Sequence, residues 1–365
     1  MVTPDFPPAE GGIQVLVDRI TKHATRMSTR VVTLTCAGAR AYDATHPVPV
    51  RRVRTSGVAR RVAMAALNTA AVSEALGFRP QTVLSAHIVA SPAGAALQER
   101  AGVPFIQYFH SKELGTRPEL ARFALRRARA SIVVSRYTHD LAVGAGGDPR
   151  RLRRIPPGVD LPPAIPRERR EARPTIVTVG VLADRYKGHD VLLRALPLVR
   201  SEVPDVQWVV IGDGPLRPAL EWLAAAEGLA GCVRFLGRVS DRERDGWLAR
   251  SHVFAMPSRL PGGGLAGEGF GIVYLEASAR GLPVVAGGVA GALDAVVPGR
   301  TGLLVDPTDH VRLADAIAGL LRDRERAEAL GRAGRAYAAR FAWPEIARRV
   351  EDVVLEVAAS CGSSS

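Results

Sequence analysis

The chain alternates short apolar runs rich in β-branched residues with longer amphipathic segments, and it does so in two separate series. The first series contains the apolar runs 31–36, 82–87, 104–110 and 130–135. The second contains the runs 175–180, 207–212, 233–237, 252–257, 283–287 and 302–307. Buried strands that alternate with helices are typical of βαβ units, whose parallel strands are covered on both faces. The pattern therefore predicts an α/β protein with two doubly wound sheets.

A segment rich in proline and charge, residues 155–174, separates the two series. It cannot continue a helix or a central strand, because proline lacks the amide proton that both require. The length of 365 residues also exceeds what one hydrophobic core usually serves. We therefore expect an N-terminal domain over residues 1–160 and a C-terminal domain over 172–343, followed by a helix that begins near Pro344. Few residues precede Pro4, so either the first strand is short or the true start lies upstream.

Composition narrows the possible functions mainly by exclusion. The formal net charge of +13 suits nucleic acid, an anionic membrane or a phosphate-bearing substrate. Aromatic residues make up only 5% and do not alternate with the basic ones, so we expect no nucleic-acid partner. No run approaches the ~18 apolar residues of a membrane span. The three scattered cysteines form neither a disulfide framework nor a metal motif, and the absence of a signal-like start favours the cytoplasm.

The segment Glu268–Glu276, of sequence EGFGIVYLE, carries the most specific chemistry in the chain. Gly271 permits a tight turn, and residues 272–280 have helix-forming character that ends at Gly281. The amides at this helix start are free donors suited to a diphosphate. Glu268 lies before the turn, where it could reach a hydroxylated sugar. Glu276 lies in the second helical turn, where it could accept hydrogen bonds from a ribose diol. The alternative is a capping carboxylate followed by a solvated one.

This E-x7-E pattern, within residues 254–291, resembles the retaining GT-B glycosyltransferases of family 4. The stretch FAMPSRLPGGGLAGEGFGIVYLEASARGLPVVAGGVAG is specifically similar to actinobacterial phosphatidylinositol mannosyltransferases that use GDP-mannose. The resemblance runs from Gly11 to residues 341–350. It implies an α/β GT-B fold, with two Rossmann-like doubly wound domains facing across a cleft and the C-terminal helix, residues 345–360, packing back onto the first domain. It also implies metal-independent catalysis that uses no cofactor besides the nucleotide-sugar donor.

The resemblance implies that the donor site is drawn from both halves of the chain. Glu268 would be a catalytic residue that contacts the transferred sugar, and Glu276 would bind the ribose. The other implied donor contacts are the backbone of Phe270, Gly271, Ile272 and Val273, the turn Gly11-Gly12 beside the diphosphate, and the nucleobase loop at Gly237 and Val239. Short glycine turns are common, so Gly11-Gly12 is a weak signal by itself.

Cations are also expected around the diphosphate, because negative charge accumulates on it as it leaves. Lys187 matches the lysine that the family places before a glycine. The family arginine falls at Val181 in this chain, which is a departure from the pattern. Arg185 is the nearest candidate to replace it as a donor-binding residue.

His110 ends the apolar run FIQYFH. A lone histidine beside aromatic residues is more often structural than functional. The resemblance nevertheless places it at a strand-end position near the reacting sugar. It is therefore the second predicted catalytic residue, which would orient the donor sugar or stabilise positive charge near the anomeric carbon.

The implied reaction moves a hexose, most specifically mannose from GDP-mannose, to a hydroxyl of a glycolipid such as a phosphatidylinositol mannoside. The arginine-rich stretches 51–61 and 117–129 are candidate contacts with an anionic lipid, so a peripheral position on the inner face of the membrane is expected. Solubility explains these arginines equally well. Two alternatives stay open, namely transfer from another nucleotide sugar to a soluble acceptor and a weakly active nucleotide-sugar-binding homologue. The sequence leaves the oligomeric state open.

Overall fold

The computed structural model describes residues 1–55, 57–162, 170–260, 262, 264–265 and 267–362, with side chains described as far as Ser360. The chain divides into two compact units. Unit 1 comprises Met1–Gly158 together with the segment that begins at Trp343, and unit 2 comprises Val159–Ala342. Residues 163–169 of the predicted linker lie outside the described residues.

Unit 1 alternates strands and helices. In chain order its elements are α1 Gly12–His23, β1 Val31–Leu34, α2 Ala39–Asp43, β2 Val50–Val53, α3 Arg60–Phe78, β3 Val83–Ser85, α4 Ser91–Ala101, β4 Phe105–Phe109, α5 Lys112–Thr116, α6 Pro118–Arg127, β5 Ala130–Val133, α7 Arg136–Gly144 and β6 Leu152–Arg154. β1 pairs with β2, and β3 to β6 pair in chain order, all in parallel. Val2 bridges Val32 and Ser85 in parallel, so the first residues lie between β1 and β3.

Unit 2 repeats the alternation. Its elements are β7 Thr175–Val179, α8 His189–Glu202, β8 Gln207–Ile211, α9 Arg217–Ala226, β9 Val233–Gly237, α10 Asp241–Arg250, β10 Val253–Met256, α11 Ile272–Ala279, β11 Val284–Gly287, α12 Ala292–Ala295, β12 Gly302–Val305, α13 His310–Arg322 and α14 Arg324–Ala338. Within the described residues the strands form one parallel sheet of order β12-β11-β10-β7-β8-β9. Strands buried on both faces explain the near-continuous apolar runs of the sequence.

The strand order of unit 2 reverses between β7 and β10. The chain proceeds outward from β7 to β9, crosses back to β10 beside β7, and then proceeds outward to β12. In open parallel sheets, the crevice outside the carboxyl ends of the strands at such a switch point is the usual ligand site. The loops that follow β7 and β10 are therefore the first place to look for a site in this unit.

The last helix, α15, runs from Trp343 to Gly362 and packs against α1. The amide of Arg26 donates to Oε1 of the buried Glu351 at 2.6 Å. Proline is tolerated in the first turn of α15 because an amide proton there has no intrahelical acceptor. Residues 361 and 362 are helical, and 363–365 lie outside the described residues. No helix in the described part of the chain combines the length and apolarity needed to cross a bilayer.

Candidate active site

Lys187 and Glu268 meet at the switch point of unit 2. Lys187 ends a 3₁₀ turn, Arg185–Lys187, after β7, and Glu268 lies in the loop after β10. The Lys187 Nζ lies 3.3 Å from Glu268 Oε2, and their side chains are only 14% and 19% exposed. The fold thus brings together two predicted site residues that are 81 positions apart in the chain. An ammonium group and a carboxylate, both partly accessible, can bind a phosphate and a sugar hydroxyl respectively.

The loop that carries Lys187 is tied to the loop after β10 by Arg259. The Arg259 amide donates to Tyr186 O at 2.7 Å, and its guanidinium donates to Asp190 Oδ2 at 2.9 Å. On the other side, a Cβ placed on Gly180 would lie 3.3 Å from the Lys187 side chain, so this glycine leaves the lysine its room. These contacts fix where the ammonium group lies before any ligand binds.

The loop that carries Glu268 is held through its backbone. The Gly291 amide donates to Glu268 O at 3.0 Å. A Cβ on Gly291 would overlap the backbone of Gly269 and Phe270, so only glycine allows the loop after β11 to pack this closely. Phe270 is buried, with its ring centroid 5.8 Å from that of Phe341. The carboxylate of Glu268 therefore projects from an anchored turn.

Gly271 is the N-cap of α11 and has a φ of 87°, in the left-handed region that favours glycine. The amides of Ile272 and Val273 follow in the first helical turn, where an α-helix leaves its N–H groups without intrahelical acceptors. Together with the helix dipole, these amides favour a diphosphate at this end of α11. All of the predicted backbone contacts in this segment thus lie at one helix start.

Glu276 lies in the second turn of α11 with its side chain 18% exposed. Burial raises the pKa of this carboxyl, and the nearby guanidinium groups of Arg244 and Arg280 oppose the rise. The Arg244 Nη2 lies 3.8 Å from Glu276 Oε1, which is too long for a hydrogen bond. The carboxylate keeps acceptor capacity for hydroxyl groups of a ligand.

Three glycines bring the loops after β7, β8 and β9 together. The Gly212 amide donates to Gly237 O at 2.8 Å, and a Cβ on Gly212 would overlap the carbonyl of Gly180. Gly237 has a φ of 69°, and Val239 follows in the partly exposed loop before α10. The backbones of these three loops therefore pack closely at this edge of the sheet, and recognition of a nucleobase by Gly237 and Val239 stays a prediction.

Unit 1 places His110 directly after β4. Its Nε2 lies 2.8 Å from Ala86 O, and its ring stacks on Tyr108 with centroids 5.2 Å apart. Since a carbonyl oxygen only accepts, Nε2 carries the proton here and a neutral ring keeps its lone pair at Nδ1. Ser111, the next residue, has a φ of 117°, a strained conformation that is typical of functional sites. His110 is thus held in one orientation.

His87 and Asp5 accompany His110 at the carboxyl edge of the sheet in unit 1. Burial lowers the pKa of His87 to about 3, and the charges of His110, Arg117 and Arg60 lower it further. Burial raises the pKa of Asp5, against the opposing effect of His110 and Arg60. The sequence analysis did not single out either residue, because neither lies in a recognisable motif.

The turn Gly11-Gly12 opens α1 in the same unit. Gly11 has a φ of 151°, and a Cβ there would overlap the side-chain amide of Gln14. Gln14 Nε2 in turn donates to Asp5 Oδ1 at 3.2 Å. A Cβ on Gly12 would meet nothing within 4 Å, which leaves open space for a ligand beside the helix start.

The arginine-rich stretches differ from the sequence interpretation. Arg52 lies in β2 and pairs with Asp43 at 2.8 Å, with its side chain only 10% exposed, and Arg51 pairs with Glu74 at 3.0 Å. Arg52 is therefore held within unit 1, whereas Arg51 is 41% exposed and stays a candidate lipid contact. The other arginines of the two stretches are exposed too, namely Arg54, Arg60, Arg61, Arg117, Arg122, Arg126, Arg127 and Arg129, of which Arg122 pairs with Glu119 and Arg127 with Glu99.

Two family models match this chain. The model described as Glycosyltransferase Family 4 matches residues 10–162, and the model described as Glycosyl transferases group 1 matches residues 173–323. A protein named GDP-mannose-dependent alpha-(1-6)-phosphatidylinositol monomannoside mannosyltransferase, from Mycolicibacterium smegmatis, is 36% identical over 93% of each chain. A similarly named enzyme for the monoacylated acceptor, from Corynebacterium glutamicum, is 34% identical over 97% of each chain. The chain belongs to glycosyltransferase family 4.

Solved structures agree on the fold of this glycosyltransferase. HepE from Anabaena, solved with UDP and glucose, superposes with a TM-score of 0.78 at 22% identity, covering 95% of this chain and 97% of its own. Sucrose-phosphate synthase from Thermosynechococcus elongatus superposes with a TM-score of 0.81 at 22% identity, covering 99% of this chain and 98% of its own. The predicted GT-B class, with two Rossmann-like units, is confirmed.

Two positions of the glycosyltransferase qualify the predicted cation set. Val181, where the family arginine is missing, is 59% exposed directly after β7 and Gly180. Arg185 lies exposed on the same 3₁₀ turn as Lys187. Its role in donor binding therefore stays a prediction. The described residues contain no group of three or more His, Cys, Asp or Glu side chains that could hold a metal ion.

One cavity of the described unit 1 lies away from the predicted residues. It has a volume of about 450 Å³ and is lined by residues 26–30 before β1, 79–84 at the start of β3, and part of α15. In parallel strands these positions lie at the amino edge of the sheet, opposite the carboxyl edge that carries His110. This cavity is therefore not part of the candidate active site.

Replacing Gly271 by alanine is expected to weaken donor binding by about 10- to 100-fold, because the α11 amides move with the turn. The new Cβ would overlap the ring of Tyr274, whose hydroxyl is fixed by Met256 O at 3.0 Å and Ser258 Oγ at 3.2 Å. Titration calorimetry with GDP-mannose measures the change.

Gly228→Ala is the matched control for this variant. Gly228 has a φ of 69°, but a Cβ there meets nothing within 4 Å. Both variants bear the left-handed penalty of roughly 1–2 kcal/mol in unfolding free energy, and only Gly271→Ala adds the overlap. Equal donor affinities for the two variants would contradict the role of the α11 start.

Proposed function

We propose that this glycosyltransferase transfers mannose from GDP-mannose to a hydroxyl of a phosphatidylinositol mannoside, as a peripheral enzyme on the inner face of the membrane. The observation that carries the proposal is the Lys187–Glu268 pair, 3.3 Å apart beside the start of α11. At the switch point it combines a cation, a carboxylate and helix-start amides that lack intrahelical acceptors. Such a combination suits a sugar diphosphate better than a hydride cofactor or a single phosphate.

The chemistry assigned to each group follows from the charge that develops in the reaction. When the glycosidic bond to phosphate breaks, the leaving diphosphate gains negative charge, which Lys187 and the α11 amides stabilise. Glu268 orients the sugar through its hydroxyl groups. His110, whose Nε2 donates to Ala86 O, accepts a hydrogen bond at Nδ1 or stabilises charge near the anomeric carbon. The proposal includes retention of the anomeric configuration, in line with the family resemblance.

The donor and acceptor identities rest on the printed names of relatives. Three relatives at 34–36% identity are named as GDP-mannose-dependent transferases acting on phosphatidylinositol monomannoside or its monoacylated form. The exposed arginines of unit 1 suit the anionic surface on which such a lipid lies. These observations support the lipid acceptor.

A soluble acceptor is the second candidate, and one comparison favours it. A D-inositol 3-phosphate glycosyltransferase from Paenarthrobacter aurescens is 32% identical over 74% of this chain and 71% of its own. Both candidate acceptors carry a phosphorylated inositol. The two acceptors therefore share a phosphate-bearing inositol, to which the lipid acceptor adds a mannose and acyl chains.

Transfer assays with crossed donors and acceptors test the proposal. We expect GDP-mannose, and neither UDP-glucose nor UDP-N-acetylglucosamine, to label phosphatidylinositol monomannoside in vesicles, with retention visible in the one-bond C–H coupling of the product. Boiled enzyme is the background control. Labelling of D-inositol 3-phosphate in place of the lipid would favour the soluble acceptor. A UDP-sugar used in preference to GDP-mannose would contradict the donor assignment.

A further inference from the structure

Glu276 occupies an unusual position for a carboxylate that is to bind a ligand. It lies on α11 with its side chain 18% exposed, and among the described residues no protein donor lies within hydrogen-bond distance of its oxygens. A carboxylate that is so poorly solvated is free to rotate or to take up a proton unless neighbouring charges restrain it. Two arginines beside Glu276 provide that restraint.

Arg244, on α10, is the nearest cation to this carboxylate. Its Nη2 lies 3.8 Å from Glu276 Oε1 and 3.3 Å from Asp245 Oδ1, while its Nη1 lies 3.0 Å from Asp241 Oδ1. The Nε of Arg244 is buried and has no hydrogen-bond partner. Two aspartates of its own helix thus hold the guanidinium, and its Nη2 lies between Asp245 and Glu276.

Arg280, at the end of α11, is the second arginine beside Glu276. Its Nη2 lies 2.6 Å from Asp245 Oδ2, and its Nη1 donates to the Glu276 backbone carbonyl at 2.9 Å. Asp245 therefore links the two arginines. Arg280 fixes the backbone of Glu276, whereas Arg244 lies within 4 Å of its carboxylate.

We propose that Arg244, fixed by Asp241 and Asp245, is a positioning residue that aims the Glu276 carboxylate at the two ribose hydroxyls of the nucleotide donor. The inference rests on the proposed function, because it takes the ligand of Glu276 to be a nucleotide sugar. A single arginine set 3.8 Å away attracts the carboxylate without occupying its lone pairs. A closer bidentate pair would consume the acceptors that the ribose needs.

The same charges predict a pH effect. Burial raises the pKa of Glu276, Arg244 and Arg280 lower it, and Asp245 and Asp160 raise it. Without Arg244 the pKa of Glu276 rises further, so the carboxyl takes up a proton at a higher pH. The donor-binding form is the ionised one, so binding weakens as the pH falls and recovers as it rises.

The test uses the whole protein with Arg244→Met, Arg244→Lys and the control Arg242→Met, which alters an exposed arginine of the same helix. The donor KM, kcat and the affinities of GDP and 2′-deoxy-GDP are measured from pH 6 to 9. We expect Arg244→Met to raise the donor KM about 10-fold near neutral pH, with kcat changed less than about 3-fold, a difference that shrinks at high pH. Arg244→Lys should restore part of the affinity.

The deoxynucleotide contrast separates positioning from a merely structural ion pair. Wild type should prefer GDP over 2′-deoxy-GDP by about 10-fold, and Arg244→Met should lose this preference, because the missing hydroxyl is one of the two that donate to Glu276. An Arg244→Met variant that is less stable but keeps the preference and the KM overturns the inference.

The failure of the inference can be told apart from failure of the proposed function. If the wild type binds UDP in place of GDP, the proposed donor is wrong, and UDP with 2′-deoxy-UDP carries out the same test. If the wild type binds ribo- and deoxyribonucleotides equally, the inference is overturned while the donor assignment stands. A wild type that binds no nucleoside diphosphate overturns both.

Discussion

Replacing Glu268 by glutamine is expected to lower the rate of sugar transfer by about 100- to 1,000-fold, while the protein stays folded. Glutamine keeps the size of the side chain but removes the charge that pairs with Lys187 at 3.3 Å. The backbone contact from Gly291 to Glu268 O does not involve the side chain and remains. We therefore expect a large decrease in kcat and little change in the unfolding temperature. Single-turnover transfer from GDP-mannose, with circular dichroism melting alongside, measures both quantities.

Glu227→Gln is the matched control for this variant. Glu227 is an exposed carboxylate in the same unit, directly after α9, so its neutralisation changes the net charge equally. We expect wild-type transfer from the control. Full activity in Glu268→Gln would show that its carboxylate is not part of the catalytic machinery.

Replacing Lys187 by methionine is expected to lower kcat/KM by about 100-fold, equivalent to ~2.7 kcal/mol of transition-state stabilisation. Methionine fills the space beside Gly180 but cannot neutralise the leaving diphosphate. It also leaves Glu268 without its cation. The combined variant Lys187→Met/Glu268→Gln should therefore lose less than the sum of the two single losses, since paired residues are not additive. Transfer kinetics on the four proteins of this cycle measure the coupling.

Two further variants show whether other cations of unit 2 contribute to transfer. Arg194→Met removes an exposed cation from α8 and should leave transfer unchanged. Arg185→Met tests whether this exposed arginine replaces the family arginine missing at Val181, and a loss of about 10-fold would support that role. Unchanged donor affinity and rate in Lys187→Met would contradict its assignment to the diphosphate.

The sequence predicted most of the sheet because strands buried on both faces leave uninterrupted apolar runs. The run VRFLG coincides with β9. The runs 175–180, 207–212 and 283–287 are each one residue longer than the strands β7, β8 and β11 that they predict. β2 and β6 escaped prediction because arginines interrupt VRRV and LRR. Those arginines belong to partly exposed strands, where Arg52 pairs with Asp43, 9 positions away, and Arg153 with Glu356, 203 positions away. A pattern of alternating strands and helices does not predict such pairs.

The candidate site divides in the same way. The helix start at Gly271 and the carboxylates of Glu268 and Glu276 follow from local chemistry and motif spacing, so the sequence sufficed for them. The charged residues around Glu276 could not be predicted, because Arg244 lies on a different helix. Only packing brings its Nη2 to 3.8 Å from Glu276 Oε1. Gly291 was missed for the same reason, although it lies within the GGVAG stretch. Glycine is required at this position because the Glu268 loop packs against it, and this contact exists only in the folded chain.

Titration of the purified protein with GDP-mannose is the measurement that tests the central claim most directly. We expect saturable binding of one GDP-mannose per chain with a dissociation constant below 1 mM, in the range of typical enzyme–substrate affinities. The same titration with Lys187→Met should show markedly weaker binding, and with Arg194→Met unchanged binding. No saturable binding of GDP-mannose, UDP-glucose or UDP-N-acetylglucosamine at millimolar concentration would contradict the assignment of residues 268–276 and Lys187 to a nucleotide-sugar site.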